Sequence, residues 1–112
     1  MGSKTKFIKI KRQTLSKEYG FIDYHYSIDK QYPNGILLFL GSFVEADHRG
    51  KGLFKEMVNE LFNLFPKGTE VQVALSNKKL IHFFKDELKF KDTNRVEYWG
   101  SPENAVTLKT NL

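Results

Sequence analysis

The stretch Ile36 to Phe65 constrains this chain most. An apolar run of strand length, Ile36 to Val44, passes through Glu45-Ala46-Asp47-His48-Arg49-Gly50-Lys51-Gly52, and Leu53, Met57, Leu61 and Phe65 then recur at helical spacing. A strand that enters a helix through two glycines presents main-chain N–H groups at the turn. The first turn of a helix has four N–H groups without internal partners and a positive dipole end, so a phosphate fits there. Gly50 and Gly52 let the backbone approach it with no Cβ in the way. The turn is not a Walker A loop, because no Ser or Thr follows a Gly-Lys pair. It is not a dinucleotide fingerprint either, since Lys55 stands where the third glycine belongs.

A chain of 112 residues with ten Phe, five Tyr and one Trp has enough apolar bulk for one core, which implies a single domain over residues 1–112. The absence of cysteine excludes disulfides, thiolate nucleophiles and Cys-based zinc sites. His25, His48 and His82 have no second ligand at metal spacing, so no metal is expected. No apolar run approaches membrane-span length and the N-terminus is too polar for a secretory signal, which gives the expectation of a cytoplasmic protein without a membrane partner. The net charge of +5 favours an anionic partner, either nucleic acid or the polyanionic end of a nucleotide cofactor. The basic residues form only small clusters, at Lys9-Lys11-Arg12, Lys78-Lys79 and Lys89-Lys91, and no RNA-binding motif accompanies them, which weighs against nucleic acid.

Ile8 and Ile10 within Phe7 to Lys11 predict a first strand, and Arg12 to Gly20 a polar turn. Phe21 to Asp29 alternates, with Ile22, Tyr24, Tyr26 and Ile28 on one side and Asp23, His25 and Ser27 on the other. Tyr32-Pro33-Asn34-Gly35 predicts a reversal into the third strand, Ile36 to Glu45. A helix follows from about Gly50 to Phe65, then a strand from Glu70 to Leu75 reached by a right-handed crossover and parallel to the third. Ser76 is placed to cap a second helix ending near Leu88. Arg95 to Trp99 and Ala105 to Lys109, bracketed by turns at Asp92-Thr93-Asn94 and Gly100 to Asn104, form a closing hairpin.

This α/β (α+β) order, βββ-α-β-α-ββ, resembles the GNAT superfamily of acyl-CoA-dependent N-acetyltransferases, with its single mixed sheet and helices packed on it. The pattern V-x-P-x-x-R-G-x-G-[IL]-[GA] is met by Val44, Arg49, Gly50, Gly52 and Leu53. The pattern N-x-x-A-x-x-F-Y-x-K-x-G-F is met by Asn77, Phe83 and Phe90, with one extra residue in the helix. The resemblance implies acetyl-CoA as cosubstrate in a V-shaped opening between the third and fourth strands. Backbone amides of His48, Arg49, Gly50, Lys51, Gly52, Leu53 and Phe54 would hold its pyrophosphate, and the edge of the third strand at Ser42, Phe43 and Val44 would pair with the pantetheine arm. Asn77 and Phe84 complete the implied cofactor set. The departures are Ala46 for the usual proline, Phe54 for a small residue, Lys89 for a glycine, and Phe84 for the tyrosine that protonates the departing thiolate. Only about five residues precede the first expected strand, against a strand and two helices in the family. The implied acceptor site is therefore open or completed by another chain, as in a homodimer.

Transfer of acetyl to a primary amine requires a neutral amine, a polarised carbonyl and a stabilised leaving thiolate. Glu45, at the strand end, is a candidate base, and His25 beside Asp23 is another. Tyr98, like Tyr24, is a candidate for the missing acid. The acceptor amine is unidentified by sequence. Two alternatives accompany the acetyltransferase expectation: a weak or inactive acyl-CoA-binding or protein-interaction module of the same fold, and a basic nucleic-acid-binding domain.

Overall fold

The computed structural model describes residues 11–28, 30–98 and 104–109. One six-stranded sheet runs through them: β1 (Gln13–Lys17), β2 (Gly20–Ser27), β3 (Ile36–Val44), β4 (Glu70–Ala74), β5 (Lys91–Tyr98) and β6 (Asn104–Lys109), in the order β1-β2-β3-β4-β6-β5. Helix α1 (Leu53–Phe62) connects β3 to β4, which pair in parallel, and α2 (Lys78–His82) follows β4. The expected element order and mixed sheet are present.

Both helices lie on one side of the sheet. Ile22, Leu37, Phe39, Val71 and Leu108 face them and are buried under Met57, Val58 and Leu61 of α1 and Leu80 and Phe84 of the second helix. Full burial of side chains such as Met57, Val58 and Leu61 contributes about 1.5–3 kcal/mol each. The other face carries a smaller cluster of Tyr32, Ile36 and Leu38. Beside it lie buried polar groups, which must find partners to be tolerated. Gln72 Nε2 donates to Tyr32 Oη at 3.3 Å and to Thr107 Oγ1 at 3.2 Å.

Several expected boundaries are corrected. Residues 7–10 of the expected first strand lie outside the described residues, and Lys11 is not in a strand. The polar stretch expected to turn instead contains β1, which pairs antiparallel with β2 through a two-residue hairpin at Glu18-Tyr19. An edge strand needs only one face against the core, and Leu15 supplies it, too little apolar alternation to register as a strand. Gly20 is required there by packing, since a Cβ would lie 2.6 Å from the Phe43 carbonyl oxygen.

Helix α1 starts at Leu53 rather than Gly50, because Gly50 and Gly52 adopt φ of 76° and 81°, outside the helical region. The second helix is capped by Asn77 rather than Ser76: Asn77 Oδ1 accepts from the Leu80 N–H at 3.2 Å. It continues as a π-turn over Phe83–Glu87, closed by the Leu88 N–H to Phe83 carbonyl bond at 3.2 Å. A π-turn absorbs one inserted residue, which matches the extra residue in the second sequence pattern.

Asp92-Thr93-Asn94 is a bulge within β5 rather than a turn before it. The Asn94 N–H bonds to Asp92 Oδ1 at 2.7 Å, so the turn chemistry is present while pairing with β6 resumes at Arg95. Trp99 and residues 100–103 of the expected closing turn lie outside the described residues.

Candidate functional site

The central feature is a fork between β3 and β4. The strands pair at only three positions, Ile36 with Glu70, Leu37 with Val71 and Leu38 with Gln72. Beyond them β3 continues to Val44 bound only to β2, while Val73 and Ala74 pair only with β6. The edge of β3 from Phe39 to Val44 that faces β4 therefore carries main-chain groups without a strand partner. A bulge marks where the strands part: Asp23 pairs with Gly41 and Tyr24 with Phe39, leaving Leu40 extra. A bulge bends its strand and increases local twist, and the glycine that follows, inside an apolar run, is its signal in the sequence.

Past the fork, Ser42 lies opposite Ile22 on the helix side, and Phe43 lies opposite Phe21 on the outer face. Val44 packs against the main core. The chain then makes a 3-10 turn over Ala46–His48. The His48 ring stacks on Tyr19 at 3.6 Å between centroids, which fixes the turn against the β1–β2 hairpin. Arg49 bends back, its Nε donating to the Val44 carbonyl at 2.9 Å and its guanidinium lying 5.8 Å from the Phe43 ring centroid. Lys51 is exposed.

A Cβ built on Gly50 or Gly52 meets nothing within 4 Å, so their positive φ, not crowding, demands glycine, and the space above them is open. The first main-chain bond of α1 runs from the Glu56 N–H to the Gly52 carbonyl at 3.0 Å. The N–H groups of Leu53, Phe54 and Lys55 precede it, and no side chain caps the helix. These donors at a positive helix end suit an anion such as a diphosphate. The donor set and the open space above two glycines thus fit the nucleotide end of a CoA molecule.

Leu53 and Phe54 also pack on the core, with Phe54 edge-on to Phe83 at 5.1 Å, so the second helix buttresses the start of α1. Asn77 is exposed and engaged as a cap. Phe84 is fully buried beneath the fork, edge-on to Phe39 at 5.0 Å and 5.1 Å from Phe90.

The candidate bases are far apart. Glu45 is exposed at the end of β3, its N–H bound to the Tyr19 carbonyl at 2.8 Å. His25 pairs with Leu38 at the closed end, seven residues and about 20 Å away at strand rise. His25 is buried, and its Nδ1 lies 3.0 Å from both the N and the carbonyl O of Lys11, the tautomer deciding which it bonds. Its neighbour Asp23 accepts from Arg12 Nη1 and Thr14 Oγ1, each at 2.7 Å. Tyr24 is buried against the ring of Phe65. Tyr98 lies on β5, separated from β4 by β6, and its side chain is outside what the structure describes. Tyr19 is the tyrosine at the open corner, and a hydrogen bond and charge repulsion from Glu18, then desolvation and Glu45, hold its phenol above its ordinary pKa.

A separate groove of about 730 Å³ lies at the far end of α1, lined by Phe62, Phe65, Leu88 and Phe90 with Asn59 and Asn63. It is about a helix length, roughly 15 Å, from the glycine turn. Among the described residues no His, Asp or Glu side chains gather in a metal-binding group, and no helix is long and apolar enough to cross a membrane.

No protein-family model matches the sequence, and no curated protein matches it. Solved structures do match the fold. Arabidopsis thaliana NAA60 in complex with a bisubstrate analogue superposes with a TM-score of 0.52 at 14% identity, over 83% of this chain and 65% of that one. Arabidopsis thaliana Naa50 in complex with the bisubstrate analogue CoA-Ac-MVNAL gives 0.54 at 16% identity, over 84% and 66%. The NAA60 complex with acetyl-CoA gives 0.51 at 14%, over 81% and 64%. This chain thus has the GNAT fold and spans about 65% of the length of these structures.

Proposed function

We propose that this chain is an acetyl-CoA-dependent N-acetyltransferase domain acting on a primary amine. The observation that carries the reading is the conjunction of the β3–β4 fork with the Gly50–Gly52 turn, an unpaired strand edge leading to unpaired helix N–H groups. The solved relatives hold acetyl-CoA or a CoA-containing bisubstrate analogue on the same fold.

Acetyl-CoA, when bound, supplies an acyl group activated as a thioester. The N–H groups of Leu53, Phe54 and Lys55 bind its diphosphate, and Lys51 adds positive charge beside them. The free edge of β3 over Ser42 to Val44 orients an amide-bearing arm in the manner of an added strand. Phe39 and Phe84 keep water from beneath the fork. Glu45, exposed at the strand end, takes the proton of the acceptor ammonium directly or through water.

The test is thermal unfolding with acetyl-CoA. A ligand bound only by the native state stabilises by about 2.7 kcal/mol at a hundredfold excess over Kd. A rise in Tm is expected for the wild type and none for a folded Gly52→Val, whose side chain takes the open space and opposes the positive φ. No rise for the wild type at millimolar acetyl-CoA rejects the reading. A second reading, an acyl-CoA-binding module without turnover, is favoured by one observation: Phe84 has no hydroxyl and no exposed surface. Acetyl-CoA binding without CoA release across a broad amine panel selects it.

A further inference from the structure

We propose that the acceptor is a primary alkylamine bearing an aromatic or bulky aliphatic group, with that group seated on the outer face of the sheet against Phe21 and Phe43. The proposal rests on the acetyltransferase reading and names its substrate class.

Phe21 and Phe43 are cross-strand partners on the face away from the helices. They remain 36% and 44% exposed, with ring centroids 5.9 Å apart. Single exposed apolar side chains need no explanation; here two adjoin as one ledge beside an open cleft. The ledge is walled on one side, because the Arg49 guanidinium lies over the Phe43 ring and its Nε is tied to the Val44 carbonyl. Between the ledge and the fork stands Gly41, where a Cβ would meet nothing within 4 Å. That notch opens a path along β3 from the unpaired edge to Phe43. Two strand residues span about 7 Å, the scale of an amine nitrogen joined to a ring by a short alkyl chain.

The charges at this corner fit a cation. Glu18, Glu45 and Asp47 are exposed around the β1–β2 hairpin and the end of β3, and Glu18 and Glu45 both act on the Tyr19 phenol. Lys17 is paired with Glu60 at 3.1 Å and Arg12 with Asp23 at 2.7 Å, which leaves the carboxylates of Glu18, Glu45 and Asp47 against Arg49 and Lys51. In a chain of net charge +5 this is a locally acidic rim, and it attracts an ammonium while an acidic acceptor is repelled. A polyamine satisfies the carboxylates and leaves the two rings in water. An arylalkylamine uses both.

The experiment compares 2-phenylethylamine with putrescine on the full chain. CoA release measures transfer in the presence of acetyl-CoA, and saturation-transfer NMR measures amine binding in the presence of CoA. A preference of about tenfold or more for 2-phenylethylamine is expected, as removal of one large apolar contact is expected to cost about that factor. Phe21→Ala should abolish the preference while retaining the acetyl-CoA-induced rise in Tm, and Phe21→Leu should restore part of it. Equal or better use of putrescine overturns the proposal, as does an unchanged preference in Phe21→Ala. If acetyl-CoA binds and neither amine is acetylated, this proposal is overturned even where 2-phenylethylamine binds, while the acetyltransferase reading still stands or falls on the broader amine panel. If acetyl-CoA fails to bind the wild type, the acetyltransferase reading itself falls and takes this one with it.

Discussion

The two ends of β3 share one strand and have opposite surroundings. At the closed end Ile36, Leu37 and Leu38 have no exposed surface and are hydrogen-bonded on both sides, to β2 and to β4. At the open end Gly41, Ser42 and Phe43 are exposed and bonded to β2 alone. The change falls at the Leu40 bulge. Before it, every side chain is large and apolar; after it come a residue with no side chain and a small polar one. A central strand gains most of its stability from burial on both faces and ladders on both edges, so a strand that abandons one ladder halfway concentrates its stability in the other half. Sites that accept a ligand are drawn from the weaker half for that reason.

Substitution at each end breaks this comparison most directly. Leu38→Ala removes a fully buried side chain beside Tyr32 and Ile36, and a loss of about 2–5 kcal/mol is expected. Ser42→Ala at the exposed end is expected to change stability by less than about 0.5 kcal/mol. Urea denaturation of both variants measures the difference. Similar losses would mean that the open end is packed as firmly as the closed one and that the fork is no site.

Phe84→Tyr probes the floor of the fork and has a smaller effect. The ring is enclosed by Phe39, Phe62, Phe83 and Phe90. A hydroxyl added there without a partner costs about 1–3 kcal/mol. The expected outcome is a lower Tm with no gain in acetyl transfer. A rise in transfer without loss of stability would show that the hydroxyl reaches the cleft, and that Phe84 is a lost acid rather than a core residue.

The parts of the fold legible in the sequence are those whose pattern is set by burial. Ile36 to Val44 and the Leu53, Met57, Leu61 stripe face a core, and the element order follows from them. The glycine turn was legible because two positive-φ positions next to a helix start admit few alternatives. β1 was not, since an edge strand with one inward Leu resembles a polar turn until its partner is known. His25 and Asp23 look alike as polar residues facing outward, yet His25 is buried against Lys11 while Asp23 holds Arg12 and Thr14. Only tertiary contacts separate them. Phe84 falls within the second pattern, but neither its enclosure by four other phenylalanines nor the exposed Phe21–Phe43 ledge follows from spacing.

Tyr19 gives the smallest and most selective test of the open end. Its phenol pKa is raised, chiefly by Glu18 and further by Glu45. A raised pKa means that the native state favours the neutral phenol. Whatever this contributes to stability is therefore fully present below the unfolded value near 10 and is lost only as pH climbs through the higher folded value. Tyr19 thus stays neutral throughout the range in which an acceptor amine begins to shed its proton. Acetyl transfer is expected to rise between pH 7 and about 9 as the neutral amine accumulates, and Tyr19→Phe should show the same rise, because the lost hydroxyl does not titrate there. The stability curves of the two proteins should diverge only in more alkaline solution, with the wild type losing more. If Tyr19→Phe instead flattens the rate profile below pH 9, the phenol carries a proton in the reaction, and the acid absent at Phe84 is supplied from the β1–β2 hairpin at the open end of the fork.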